Sequence, residues 1–190
     1  MQQRKRILRA ASLLFAQRGY ERVSLRQIAA AVGLTPPTLY HYFPTKETLL
    51  ETLAYQIAEQ FEKATEGIAE SDWTVPYKIE RFCEAHLMTL LQAPEQAAIF
   101  LREAPQFLSE PQRSAFIDRQ RQYEARFERI LREGLEARLF RDIEPRFMTV
   151  SLLAALNATA TWYQIGGPLS PQEIARSLAD IFLRGLIRNW

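Results

Sequence analysis

Between Gly33 and Leu50 the chain reads GLTPPTLYHYFPTKETLL, which gathers Thr35, Thr38, Tyr40, His41, Tyr42 and Lys46 around two adjacent prolines, Pro36 and Pro37. The chemistry open to such a run is binding. Catalytic arrangements are missing from the sequence: it has two histidines and one cysteine, no glycine loop to cradle a phosphate, no paired metal-ligand motif and no Ser or Cys set up as a nucleophile. The expectation is a non-enzyme with no metal and no cofactor. Charge says what the run binds. Residues 1–50 hold eight Lys/Arg against two Asp/Glu, a net of +6, whereas residues 51–190 hold sixteen against twenty, a net of −4. A basic end on an acidic body calls for a polyanionic partner.

The elements that must position these groups are helices. Helical spacing of apolar residues fills nearly every segment between proline and glycine punctuation, with no period-two alternation and no repeat, so the fold class is all-α. Ile7, Leu8, Ala11, Leu14 and Phe15 form the stripe of a first helix that Gly19 ends, with Arg4, Lys5, Arg6 and Arg9 crowding its start. Ser24 caps a second helix, Gln27 completing the capping-box spacing, and Gly33 stops it. Thr35 caps a third, whose first turn takes Pro36 and Pro37 because N–H groups there have no intrahelical acceptor to lose. Pro44 closes it, and Lys46 opens a longer amphipathic helix through Leu49, Leu50, Leu53, Ile57 and Phe61. Further helices are expected at about 76–92, 95–108, 111–139, 145–165 and 171–188, each near a proline.

Two helices joined by a glycine-containing turn and braced by a third make a helix-turn-helix, whose second helix enters the major groove of double-stranded DNA. The short run at Thr35–Tyr42 is that helix. Its rigid tip can also touch thymine methyls.

The stretch ILRAASLLFAQRGYERVSLRQIAAAVGLTPPTLYHYFPTKETLL resembles the TetR family of transcriptional regulators over about the first quarter of the chain, through Ala11, Phe15, Gly19, Tyr20, Ile28, Ala29, Gly33, Leu39, Tyr40, Phe43, Lys46 and Leu49. Pro37 stands where the family often has glycine. The resemblance implies a DNA-binding domain over residues 1–46 and a ligand-binding and dimerisation domain over 47–190. It also implies roles. Ser24 and Thr35 would offer cap hydroxyls and helix N-terminal amides to phosphates; Arg26 and Thr38 would read bases, with Pro36 and Pro37 shaping the tip; Tyr40, His41, Tyr42 and Lys46 would hold the backbone. Arg26 as a solvated helix residue, Tyr42 as core and Lys46 as a carboxylate's partner are the plain alternatives.

One short reading helix gains specificity by pairing, so the second half is expected to form a homodimer on a palindromic operator. Leu152, Ala155, Leu156, Ala158 and Thr159 offer a small-residue face, and Ile174, Leu178, Ile181, Phe182, Gly185 and Leu186 a broad apolar one, together a four-helix interface between two copies. Phe147–Gln172 carries no charge, but Thr149, Ser151, Asn157, Thr159, Thr161 and Gln164 are spread through it, which argues against a membrane span. A chamber for a small hydrophobic effector is expected among the middle helices, lined by Phe82, Leu90, Phe100, Phe107, Phe116 and Tyr123 and oriented by His86 and Arg119, unless these are plain core and surface charge. The C-terminal stretch TWYQIGGPLSPQEIARSLADIFLRGL is similar to that of family members responding to acyl-CoA thioesters in fatty-acid or aromatic-acid breakdown. An efflux regulator sensing a drug-like or lipid ligand is the alternative. Cys83, the single cysteine, excludes an internal disulfide and fits a reducing, cytoplasmic setting.

Overall fold

The computed structural model describes residues 2–187. Helices α1 (Gln2–Arg18), α2 (Leu25–Ala31), α3 (Pro36–Tyr42) and α4 (Lys46–Ala64) come first, then α5 (Val75–Gln92), α6 (Pro94–Ala98), a π-helical turn (Ile99–Glu103), α7 (Ala104–Phe107), α8 (Gln112–Glu136), α9 (Pro145–Trp162) and α10 (Pro171–Leu186). Among the described residues the only β pairing is an isolated bridge between Phe140 and Ile187. The fold is all-α.

Local chemistry sets the helix ends. Ser24 accepts the Gln27 N–H at 3.3 Å while its own N–H donates to the Gln27 side chain at 2.8 Å, so the capping box closes both ways. Thr35 caps α3, and Pro36 occupies its first turn. Gly33, at φ +69°, makes the left-handed turn between α2 and α3 that a side chain would strain. Ser170 and Glu173 repeat the reciprocal cap at α10. The expected end of that helix at 188 lies outside the described residues.

The helix expected at 95–108 departs from the spacing. It is interrupted by the π turn, where the Ala104 N–H reaches back five residues to the Ile99 carbonyl. Pro105 follows at once; it has no N–H for the Leu101 carbonyl and its ring crowds that carbonyl, and the widened turn absorbs the misfit.

The chain divides into two compact units. The first joins Met1–Glu59 to Ala93–Asp118. Its core packs Ile7, Phe15, Ile28, Leu39, Phe43 and Leu50 with Ile99, Ala104, Leu108 and Phe116, so residues far along the chain complete the packing around the helix-turn-helix. The second joins Gln60–Gln92 to Arg119–Trp190. There α5 packs on α9 and α10. Gly134 in α8 is required by contact: a Cβ on it would lie 2.1 Å from the Phe140 ring.

Candidate nucleic-acid interface

In α2 and α3 the buried stripe is narrow. Leu39 and the following Phe43 are wholly buried, as are Ile28 and Ala29, and Leu25 is buried with them, while most other residues of the two short helices are exposed. Ser24, Arg26, Thr35, Pro37, Thr38, Tyr40, His41 and Tyr42 are all exposed, and Pro36 is half-buried. The structure therefore brings the sequence-named residues onto one exposed head. Thr35 and Thr38 share a hydroxyl hydrogen bond of 2.8 Å, and the Thr38 N–H donates to the Thr35 hydroxyl at 3.4 Å. This pair fixes the Thr38 side chain relative to the tip. His41 and Tyr42 meet edge to face at 5.9 Å.

Lys46 has a second task. Its ammonium donates to the Tyr20 carbonyl at 3.0 Å and the Glu21 carbonyl at 3.4 Å and sits 4.1 Å over the Tyr20 ring. Burial pulls its pKa below that of a free lysine. Two of its protons thus pin the start of α4 to the turn before α2. The basic start of α1, which the sequence marks only as a charge run, is also drawn into the head. Arg4 stacks 5.0 Å over the Phe43 ring, and Arg6 donates to the Val32 carbonyl at 3.3 Å, a cation at the C-terminal end of α2.

Tyr20 is the hub of the first unit. Its ring meets Phe15 at 5.2 Å and Phe107 at 5.1 Å, and its N–H donates to the Glu103 carboxylate at 3.3 Å. Burial, reinforced by Glu47, pushes its phenol up to about 12. Glu47 in turn accepts the Ser109 N–H at 2.7 Å and the Ser109 hydroxyl, and these bonds hold its carboxyl below the usual range. Two carboxylates, Glu103 and Glu47, thereby tie the 103–109 segment to the helix-turn-helix head. Sequence reasoning missed both ties because their partners lie 83 and 62 residues apart.

The eight residues expected to line one chamber are divided. Phe100 and Phe116 meet at 5.2 Å in the first unit, and Phe107 packs on Tyr20 there, so these three complete the reading head's core. Phe82, His86, Leu90, Arg119 and Tyr123 belong to the second unit. Arg119 grips Glu62 with two bonds of 2.5 and 2.8 Å and serves as an ion pair. His86 anchors a buried polar cluster. Its Nδ1 lies 2.8 Å from the Tyr123 hydroxyl and its Nε2 3.0 Å from Asn157 Oδ1, while Phe61 stacks on it at 4.7 Å. With Asn157 accepting, Nε2 carries the proton and Nδ1 accepts from Tyr123. Burial lowers the His86 pKa to about 4, outweighing the bond to Asn157. Asn157 is not among the residues the sequence singles out for a site; its place in an uncharged run is the only signal.

The expected dimer face also needs correction. Leu152, Leu156, Thr159, Ile174 and Leu186 are buried within the second unit itself and are not available to another chain. Ala155 and Ile181 are exposed, and Leu178 and Phe182 half-buried. On α9 the outward side carries Val150, Ala154, Ala158 and Trp162, and on α10 Ile181 is 66% exposed beside an open Gly185. A helix apolar nearly all round does not say from sequence which side its own core takes.

Comparison with known proteins accounts for both halves. Residues 7–53 match the pattern described as bacterial regulatory proteins, tetR family, and residues 73–186 match the tetracyclin repressor-like C-terminal domain. The HTH-type transcriptional repressor KstR2 of Mycobacterium tuberculosis is 25% identical over 187 residues, 98% of this chain and 94% of that one. Its solved structure, a ketosteroid transcriptional regulator, superposes with a TM-score of 0.89 over 98% of this chain and 96% of that one. PfmR of Thermus thermophilus, a TetR family regulator, is 31% identical with a TM-score of 0.86, covering 96% and 99% of the two chains. AibR, solved in complex with isovaleryl coenzyme A and operator DNA, shares the fold at 23% identity and a TM-score of 0.85, covering 94% of this chain and 96% of that one. With an exposed helix-turn-helix head in its first quarter and the matching C-terminal domain after it, the chain belongs to the TetR family of transcriptional regulators, which bind DNA and are not enzymes.

Proposed function

We propose that this regulator is a cytoplasmic repressor that binds a palindromic operator as a homodimer and is released by a small hydrophobic effector, an acyl-CoA. The observation that carries the DNA half is the set of outward hydroxyl, aromatic and basic groups on α2 and α3 over a wholly buried Leu39 and Phe43. Arg26 and Thr38 read bases; Ser24, Thr35, Tyr40, His41, Tyr42 and Lys46 contact phosphates, and Pro36 and Pro37 stiffen the tip. Residues 1–46 act as the DNA-binding domain and 47–190 as the effector and dimerisation domain, with the 103–109 segment tied to the former.

Support for the effector comes from the second unit and from relatives. His86, Tyr123 and Asn157 form a hydrogen-bonded polar cluster among Phe61, Phe82 and Phe127, a polar centre inside an otherwise apolar unit. KstR2 is a repressor and AibR is solved with an acyl-CoA and operator DNA. Release requires that the effector bind the two states unequally, since equal affinity shifts nothing. The test is selection of bound sequences from random duplex DNA, then titration of the selected site with acyl-CoAs of varied chain length. Enrichment of a palindrome that one acyl-CoA releases is the expected result. A palindrome indifferent to all of them removes the acyl-CoA, and no enriched site removes the repressor.

A further inference from the structure

A groove of about 360 Å³ opens in the second unit, lined by Thr65, Glu66, Gly67, Ala69 and Glu70 from the turn after α4 and by Arg126 and Arg129 from α8. Its two arginines differ. Arg129 pairs with Glu70 at 2.8 Å, and both side chains are more than half exposed. Arg126 is half-buried, donates to the Glu62 backbone carbonyl at 2.9 Å, and makes no carboxylate ion pair among the described residues. A guanidinium that keeps several donors free, is partly shielded from water and faces an open volume is a standing receptor for an oxyanion.

The floor of the groove leads inward. Thr65, only 2% exposed, donates its hydroxyl to the Phe61 carbonyl at 3.0 Å and lies beside the Tyr123 hydroxyl. Tyr123 lies one helical turn before Arg126 on α8 and bonds His86 at 2.8 Å. Thr65 thus belongs both to the groove and to the buried polar cluster.

We propose that this groove is an anion-binding subsite in which Arg126 seats the charged head of the effector, a phosphate or a carboxylate, next to the Thr65–Tyr123–His86 line. The proposal rests on the effector-responsive reading above. A dianion also draws Arg129 from Glu70, because an exposed ion pair is weak. Glu66 and Glu70 oppose excess negative charge, so the head's anionic group is seated on the α8 side.

The test is calorimetric binding to the full chain of three probes, dodecanoyl-CoA, dodecanoic acid and adenosine 3′,5′-bisphosphate, with operator affinity measured in parallel. Arg126→Ala is expected to weaken every probe that the wild type binds by about 10- to 100-fold, the loss of one charge-assisted contact set, and to leave operator affinity without effector unchanged. Glu70→Gln, which frees Arg129, is expected to tighten the same probes several-fold, so the proposal does not depend on one variant. Tight bisphosphate with weak fatty acid identifies the head as phosphate, and the reverse identifies it as carboxylate. Wild-type affinity retained in Arg126→Ala, or no probe bound by the wild type, overturns the subsite. The repressor reading fails separately: it falls if bound probes leave the operator complex intact while Arg126 still governs their binding.

Discussion

At the scale of single residues, the proposed roles separate position from readout. Arg26 is exposed, whereas Lys46 is half-buried and tied to two carbonyls. Lys46→Ala should weaken binding to all duplexes alike and also lower stability, because it removes the pin between α4 and Tyr20. Arg26→Ala should cost about 1–3 kcal/mol on the selected site and relax base preference at one position, with stability unchanged. Competition titrations against a set of single-base operator variants distinguish the two patterns, and equal losses with unchanged preference in both variants would reverse the assignment. His86 carries a pH signature. Its pKa falls from 6.5 in the unfolded chain to about 4 in the fold, so the folded state binds fewer protons between these values. Stability is fully present above pH 6.5 and is lost as pH falls toward 4, by an amount on the order of 3 kcal/mol. Urea unfolding at about pH 7.5 and about pH 5 should show this loss in the wild type and a smaller one in His86→Gln; identical slopes would mean that His86 is not neutral in the fold.

At the scale of elements, the reading head is braced by a segment that follows it by more than forty residues. The Glu103 and Glu47 ties, the Phe107–Tyr20 contact and the core residues Ile99, Leu108 and Phe116 make residues 93–118 part of the same compact unit. The π turn sets the register of Glu103, since one residue more or fewer per turn would rotate its carboxylate off the Tyr20 N–H. Glu103→Ala should lower stability by about 1 kcal/mol, the value of a partly exposed charge-assisted hydrogen bond, and should speed amide exchange at Tyr20. Unchanged exchange at that amide would show that the tie does not hold in solution.

At the scale of the whole molecule, a seven-residue reading helix reaches few base pairs, and in the proposed homodimer two copies would meet the DNA one helical turn, about 34–36 Å, apart. The exposed side of α9 and α10, with Val150, Ala154, Ala158 and Ile181, is the surface on which we place the second copy. Ile181→Glu should shift the protein toward monomer in sedimentation velocity and weaken operator binding by more than about tenfold, since losing the pair loses half the contacts. A dimer that survives this change at micromolar concentration would place the interface elsewhere. Among the described residues no helix is long and apolar enough to cross a membrane.

The helices, their caps and the reading head were legible in the sequence because they depend on neighbours within a few residues. Ser24 with Gln27, Thr35 with Pro36, and the glycines at 19 and 33 write their geometry locally, and Leu39 and Phe43 could face only inward once α3 was placed. Length and the missing catalytic motifs likewise bounded the function without a fold. Only the tertiary structure assigned Phe100, Phe107 and Phe116 to the reading head's core, turned Leu152 and Leu156 inward, gave Lys46 its carbonyl partners and set Arg126 at an open groove on the Glu62 carbonyl. The reason is physical: helical periodicity states which residues share a face, but which face meets which neighbour is settled by packing between segments far apart in the chain, and no local pattern encodes that choice.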